Sequence, residues 1–313
     1  MSADSVTTSA DTLTPPCPLC GGDSQMQFTK SAYRYFKCHC GFVFIWPRPS
    51  QQKLQEMYRD YGEHYWITQR MVNFAFSPTK SWREIQFVGR FASRGTLLDV
   101  GCSTGSFVKA ARERGFDAEG VDISAPAVRF GQDMGLPLYV LDILRESPRE
   151  LYDLVTMWAT LEHLPDPRQY LRRARDLLKP GGLLFVSVPN YAGITQTLLG
   201  KRDRYVGRDH LNYFQPRVLR QGLKAEGFSF KGSTTYAFNP IVILRDFRNR
   251  GEEGKEGLTT EDMQSDQAAT LRLKHSPLLQ VQRAIERILN LFSAGDVIAM
   301  CAEASHLWSG PVH

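Results

Sequence analysis

The chain has 313 residues, 42% hydrophobic and 23% charged, fractions that fit a folded globular protein and exclude collagen-like and wholly disordered classes. Its 38 Lys+Arg against 33 Asp+Glu leave a net charge of +5, which permits anionic partners but falls short of the clustered positive charge of a nucleic-acid binder. No apolar run approaches the ~18–20 residues that span a bilayer, and the polar opening MSADSVTTSA does not read as a secretory leader, so a cytoplasmic protein without membrane attachment is expected.

Residues 1–15, rich in Ser, Thr and Asp, read as a disordered lead. A short module over 16–49 carries Cys17-Pro-Leu-Cys20-Gly-Gly and then Cys38-His-Cys40-Gly. In a reducing compartment four clustered cysteines point to metal before disulfide. Zinc takes four soft or borderline ligands in a tetrahedron, and paired cysteines on tight turns supply them. Gly21 and Gly41 directly follow the pairs and are expected to free backbone N–H groups for the sulfurs. The second pair is C-x-C instead of C-x-x-C, which leaves His39 as an alternative ligand. Four protein ligands leave no open position, so such a zinc is structural. Residues 50–93 read as helical. Ser50 caps SQQKLQEMYRDYG, and KSWREIQFVGRF puts Trp82, Ile85 and Val88 on one face.

From residue 94 to 238 strands alternate with helices. TLLDV, AEGVDIS, PLYVLD, YDLVTMWA and LLFVSVP are apolar strands. Between them lie the helices FVKAARERG, APAVRFGQDMG and DPRQYLRRARDLL, the last stopped by Lys179-Pro180-Gly181-Gly182. The alternation implies right-handed βαβ units, hence an α/β, Rossmann-like fold with helices on both faces of its sheet. After Pro189 the pattern breaks into a loop, KRDRYVGRDHLNYF, then the helix PRVLRQGLKAEG and a sixth strand, FSFKGSTTYAF. Residues 239–293 hold a glycine- and glutamate-rich excursion over 248–268 and the amphipathic helix SPLLQVQRAIERILNLF, with Leu278, Val281, Ile285, Ile288 and Phe292 on one face. DVIAMCA, within 294–304, is the last strand.

Chemistry concentrates in Leu97-Leu98-Asp99-Val100-Gly101-Cys102-Ser103-Thr104-Gly105. A strand running through a glycine turn into a helix brings backbone N–H groups to an anionic ligand end. The spacing differs from the dinucleotide fingerprint G-x-G-x-x-G. Asp99 could take an ammonium group, and Asp122, closing the next strand, could bind ribose hydroxyls or cap the helix APAVRF. An acid for an amine, backbone for a carboxylate and an acid for a ribose describe S-adenosylmethionine better than NAD.

Residues 96–238 resemble class I S-adenosylmethionine-dependent methyltransferases, of the branch that includes ubiquinone-biosynthesis-like, sugar and natural-product enzymes. LLDVGCSTGSF matches the first motif, with Ser103 where the middle glycine stands, a change that requires Ser103 to avoid positive φ. GVDIS supplies Asp122 and Ile123, VLDI supplies Asp142 for the adenine side, and YDLVTMWATLEHLPDP supplies Trp158, Glu162 and His163 at the cofactor mouth. The resemblance implies a seven-stranded sheet with an antiparallel seventh strand, so that 94–238 and 294–304 form the catalytic domain and 239–293 a helical insertion. It implies cofactor contacts from Asp99, Gly101, Cys102, Ser103, Gly105, Asp122, Ile123, Asp142 and Trp158. Similar methyltransferases carry a four-cysteine zinc ribbon followed by a phrase like FVFIWPRPS, which supports zinc at Cys17, Cys20, Cys38 and Cys40.

The reaction implied is transfer of a methyl group to a small-molecule acceptor such as a sugar, quinone-like compound or secondary metabolite. Where the acceptor must lose a proton, His163 is the first choice of base and His210 the second, with Glu162 beside them. His163 could equally pack under its loop and bond a carbonyl. Cys102 and Cys301 read as small buried hydrophobes, not nucleophiles. Arg172, Arg173 and Arg175 read as a solvated helix face, while Lys201, Arg202, Arg204 and Arg208 overhang the site and could meet an anionic acceptor. The helix at 276–292 must cover its apolar stripe, by a lid over the acceptor pocket, the favoured reading, or by a homodimer contact. The rival function is an RNA-interacting ribbon or RNA methyltransferase, since Lys30, Arg34 and Lys37 interleave with Tyr33, Tyr35 and Phe36; the mild net charge argues against it.

Overall fold

The computed structural model describes residues 14–30, 33–49, 78–146, 151–203, 205–207, 210–238, 240, 243–244, 247 and 278–305. The lead before residue 14, the helix expected after Ser50, the 248–268 excursion, Arg204 and Arg208 lie outside them.

The apolar runs form the strands expected of them. β4 (Thr96–Val100), β5 (Asp117–Asp122), β6 (Leu138–Val140), β7 (Tyr152–Trp158) and β8 (Leu178–Pro189) pair in parallel, and two further strands, β10 (Phe228–Tyr236) and β11 (Val297–Ala304), complete a seven-stranded sheet. Its order is β10-β11-β8-β7-β4-β5-β6, with β11 antiparallel to both neighbours. On one face, α1 (Pro78–Val88) and α2 (Ser106–Glu113) bring Ile85, Val88, Phe107 and Val108 onto Leu97, Leu154 and Phe185. On the other, α4 (Pro167–Asp176) and α6 (Pro216–Ala225) bring Leu171, Ala174, Leu219 and Leu223 onto Leu98, Val155 and Val186. Between them in sequence, α3 (Ala125–Asp133) covers the β5–β6 end, and α5 (Ile194–Leu199) follows β8. Two-sided burial explains why the central strands β4, β7 and β8 read as apolar runs without alternation, whereas β6 at the sheet edge leaves Tyr139 and Val140 exposed.

The Lys179-Pro180-Gly181-Gly182 stretch departs from expectation. The helix already ends at Asp176, and the four residues lie inside β8. Gly181 takes φ +74, and a Cβ on Gly182 would meet the Lys179 and Asp153 carbonyl oxygens at 2.9 and 3.1 Å, so the glycines let β8 irregularly join β7 where the register shifts. The arginines of α4 are not simply solvated. Arg168 and Arg172 donate to the buried Glu226 carboxylate at 2.5 and 2.6 Å, Arg175 to the Glu226 carbonyl at 3.0 Å and Arg173 to the Ile143 carbonyl at 2.7 Å.

The N-terminal module is an antiparallel meander of β1 (Ser24–Lys30), β2 (Tyr33–Cys38) and β3 (Val43–Trp46). Its fourth strand comes from far along the chain: β9 (Asn212–Tyr213), with Val43 opposite Tyr213 and Phe44 opposite Asn212. Tyr35, Val43 and Ile45 pack with Val206, Leu211 and Tyr213, while Leu19, Phe42 and Phe44 join the α6 face of the main core. The fit is close, since a Cβ on Gly222 would come within 2.9 Å of Leu19.

α7 (Leu278–Leu291) meets the end of β10 through polar side chains, with Ile285 half-buried beside them. Gln282 donates to the Phe238 carbonyl at 2.6 Å, Asn290 accepts from the Thr235 N–H at 2.6 Å, and Glu286 accepts from Arg83 at 3.0 Å. Val281 and Ile288 face outward, each 55% exposed. The unpaired backbone at the end of β10 calls for polar partners, and residues at i, i+4 and i+8 supply them from one face.

Candidate active site

The carboxyl ends of β4, β5, β7 and β8 meet at one edge of the sheet, where ligands bind in open α/β folds. β4 ends in a turn with Gly101 at φ +75 and Gly105 at φ +80, and α2 starts directly after it. Ser103 also adopts a positive φ, +53, contrary to the expectation stated above. Its N–H donates to Asp122 Oδ2 at 2.8 Å, and this bond fixes the left-handed turn that a glycine would adopt at no cost. Asp122 Oδ1 accepts from the Ser124 N–H at 2.8 Å, so the same carboxylate also steadies the start of α3. The Ile123 N–H also reaches this carboxylate, which still leaves capacity for a ligand hydroxyl. Burial pushes the Asp122 carboxyl up, while these backbone N–H groups pull it down.

Asp99 is 2% exposed and its Oδ1 accepts from the Thr156 hydroxyl at 2.7 Å, so the structure ties it into the β4–β7 pair. Ile123 is exposed beside Asp122, and Asp142 accepts from the Leu144 N–H at 3.0 Å and lies 3.6 Å from Arg145. Burial raises the Cys102 thiol well above its ordinary value, with Asp122 and Asp99 adding to the shift, and Cys301 is buried too, as expected of packing residues. Trp158 packs on Phe107, ring centroids 5.1 Å apart. Its Nε1 and the hydroxyls of Ser103 and Ser124 are buried without a hydrogen-bond partner, orphaned polar groups on the elements that bound the β4 turn.

β7 leads through Ala159 at φ +50 into a 3-10 turn, Leu161–His163. Glu162 is 1% exposed, and burial pushes its carboxyl up to about 8. Its Oε2 has no partner, and Oε1 lies 3.9 Å from His163 Nε2. His210 meets His163 edge-on, ring centroids 4.8 Å apart, and stacks on Tyr205 at 5.9 Å. Burial, reinforced by His163, drives His210 well below the ordinary imidazole value, and its Nδ1 is unpartnered. Ligand-type atoms of Glu162, His163 and His210 lie within 4.8 Å of one another, so the three candidates do meet. Sequence reading missed Tyr205, in a turn, and Asn212, in the two-residue β9, because neither lies in a periodic stretch. Asn212 is 1% exposed and donates to the Leu161 and Leu164 carbonyls at 3.0 and 2.7 Å.

The four cysteines converge as well. Cys17 and Cys40 sulfurs are 3.9 Å apart, those of Cys20 and Cys38 3.5 Å, and all four lie within 4.8 Å of one another. A tetrahedron with Zn–S bonds of about 2.3 Å has edges of about 3.8 Å, so C-x-C closes the set as well as C-x-x-C. His39 is exposed and outside it. Gly21 and Gly41 shape the turns that bring backbone N–H groups to the sulfurs, Gly22 to Cys20, Phe42 to Cys40, and Leu19 and Cys20 to Cys17, as expected. At φ +73 and +93 the two glycines donate to the Cys17 and Cys38 carbonyls at 2.8 and 2.9 Å, closing the turns, while the Cys40 N–H lies 3.5 Å from Cys38 Sγ. In the same module Lys30 turns inward to the Asp203 and Val206 carbonyls, and Tyr35 and Phe36 are buried, so these aromatic rings present no face to a stacked base.

No helix among the described residues is long and apolar enough to cross a membrane. A family profile described as "Methyltransferase domain" matches residues 75–230. The ubiquinone biosynthesis O-methyltransferase of Caulobacter vibrioides is 29% identical over 162 residues, 47% of this chain and 64% of that protein, so under two thirds of that relative is spanned. The ubiquinone biosynthesis O-methyltransferase of Chromobacterium violaceum is 27% identical over 178 residues, 51% of this chain and 76% of that one. Among solved structures, a SAM dependent methyltransferase from Archaeoglobus fulgidus shares the fold with a TM-score of 0.51 at 17% identity, covering 76% of this chain and 99% of that one.

Proposed function

We propose that the chain is a class I S-adenosylmethionine-dependent methyltransferase that methylates a hydroxyl-bearing small molecule, with His163 taking the acceptor's proton. The observation that carries this reading is the meeting of His163, His210 and the buried Glu162 on the turn that presses on the Gly101 loop. Two relatives named for ubiquinone biosynthesis O-methylation support a quinone-like phenol or sugar alcohol as acceptor.

The β4 turn suits the donor. Gly101 to Gly105 would hold its amino-acid end, Asp122 its ribose hydroxyls, and Ile123 and Asp142 the adenine side, with the orphaned Ser103, Ser124 and Trp158 groups at hand. When bound, S-adenosylmethionine supplies a methyl group on a sulfonium, open to in-line displacement. The chain's part is to align the acceptor, an effect that can reach effective molarities of ~10⁵–10⁸ M. Burial keeps His210 neutral, so it places no positive charge beside His163 to oppose the proton that His163 takes. The edge-on contact opposes charging both imidazoles at once, and Glu162, protonated at neutral pH, adds no competing charge.

Cys17, Cys20, Cys38 and Cys40 would hold one structural zinc, supported by their spacing, and a reducing cytoplasm suits such thiols. The RNA reading is not favoured, because Tyr35 and Phe36 of the ribbon are buried in its core. The test incubates the protein with S-adenosylmethionine and either 3,4-dihydroxybenzoate, as a probe phenol, or an extract of small metabolites. Release of S-adenosylhomocysteine is expected, falling at least 100-fold in His163→Ala. A fully active His163→Ala would remove the base, and release only with RNA would overturn the acceptor class.

A further inference from the structure

The 3-10 turn that carries Glu162 and His163 is three residues long, too short to hold its own shape by internal hydrogen bonds. Its geometry is set from outside. The Glu162 carbonyl accepts from the Leu211 N–H at 2.8 Å. The carbonyls of Leu161 and Leu164 accept from Asn212 Nδ2 at 3.0 and 2.7 Å, with Glu162 more distant at 3.4 Å. The Pro165 carbonyl accepts from Arg48 Nη1 at 2.8 Å. Arg48 belongs to the cysteine module, just beyond β3, with its guanidinium 5.8 Å above the Phe44 ring.

Arg48 does a second thing. Its Nη2 donates to Asn212 Oδ1 at 2.7 Å. A side-chain amide carries its donor and acceptor on opposite sides, so a cation fixed on the oxygen forces the NH2 toward the turn. The backbone of the same module pairs Phe44 with Asn212, which places that amide. The module thus grips the turn through two linked side chains. A lysine could not reproduce this, because it lacks the planar fork that reaches the Pro165 carbonyl and Asn212 Oδ1 together.

We propose that Arg48 and Asn212 are positioning residues for methyl transfer, and that the cysteine module is docked on the catalytic domain to set the aim of the Glu162–His163 turn. This rests on the function proposed above. Arg48 touches neither donor nor acceptor and acts through Asn212 and the turn carbonyls. Burial lowers its guanidinium to about 10, which still leaves a cation at neutral pH.

The test uses the full chain with its metal content measured, and two variants, Arg48→Lys and Asn212→Asp. The second keeps the Arg48 partner but replaces the Nδ2 donor with an acceptor facing three carbonyls. Histidine side-chain NMR follows the titration of His163 and His210, calorimetry follows S-adenosylhomocysteine binding, and melting follows stability. A positioning role predicts S-adenosylhomocysteine affinity within about twofold of wild type in both variants, while His163 and His210 signals shift and the depressed His210 midpoint moves back toward the free-histidine value. Wild-type histidine titrations in either folded variant would overturn the proposal. Failure of the wild-type protein to bind S-adenosylhomocysteine would instead sink the function proposed above, whatever the histidines do.

Discussion

Thr160 sits directly over the α-carbon of Gly101: a Cβ built on Gly101 would come within 2.5 Å of Thr160 Oγ1 and 2.7 Å of its methyl. The Thr160 hydroxyl also donates to the Val100 and Trp158 carbonyls, each at 3.2 Å. The turn leaving β7 and the turn leaving β4 are therefore one packed unit, and the proposed donor and acceptor sides cannot shift independently. Gly101→Ala meets both this clash and an unfavourable φ of +75. We expect a loss of ~1–3 kcal/mol in stability and no measurable S-adenosylhomocysteine binding, with melting and calorimetry as the checks. Thr160→Ser in the same chain should recover part of the stability, since it removes the methyl.

Asp122 joins the β4 turn to α3 through two backbone N–H groups. Asp122→Ala is expected to weaken S-adenosylhomocysteine binding by ~1.5–3 kcal/mol, the scale of hydrogen bonds to a charged group. Asp122→Asn retains an acceptor for one N–H and should lose less. Equal losses in the two variants would mean that charge, not hydrogen bonding, holds the ligand.

Glu162 should leave a signature in stability against pH. Its folded value of about 8 stands above the ordinary 4.5, so the folded protein holds a proton that the unfolded chain releases. Stability from this group is full below about 4.5 and is lost as pH rises toward about 8, a total on the order of a few kcal/mol. His210 is shifted the other way, and its contribution is lost as pH falls below the ordinary imidazole value. Glu162→Gln should flatten the alkaline limb of a denaturation profile and leave the acid limb in place.

The four sulfurs predict one zinc per chain in freshly purified protein, measured by elemental analysis. Cys38→Ser should lower that content and melt the module, because structural zinc sites supply ~10–16 kcal/mol of binding free energy. Stoichiometric metal in a His39→Ala variant would confirm that the histidine is no ligand.

α7 offers a contrast between its two faces. Asn290→Ala removes the acceptor for the Thr235 N–H and should cost ~1 kcal/mol. Val281→Asp and Ile288→Asp, on the outward stripe, should change stability by less than ~0.5 kcal/mol in the monomer. A concentration-dependent loss of stability in the two aspartate variants would instead reveal a self-contact through that stripe.

β4, β7 and β8 were legible because two-sided burial writes continuous apolar runs between turns. The polar docking of α7 was not, since periodicity defines an apolar face without saying which face meets the sheet. Lys179-Pro180-Gly181-Gly182 misled for a related reason: proline and glycine end helices, but they also admit the irregular start of β8. The cysteine set and the Glu162–His163–His210 meeting were open to spacing and resemblance. Asn212 and Arg48 were not, because their partners are carbonyls far away in sequence, and no pattern of side-chain types records a carbonyl's position. Ser103 shows how a backbone hydrogen bond donated to Asp122 can replace the freedom of a glycine.

The pairing of Val43 with Tyr213 has a consequence for the order in which the protein is made. The cysteine hairpins precede the parallel strands in the chain, yet the last strand of their sheet, β9, is not translated until after β8. Until then the β3 edge and the faces of Phe42 and Phe44 have neither strand nor helix to cover them. The nascent chain therefore spends most of its synthesis with an open β edge, exposed to premature pairing with other chains. Slowing translation between residues 50 and 210 should raise the aggregated fraction, and supplying the 205–227 segment in trans should lower it.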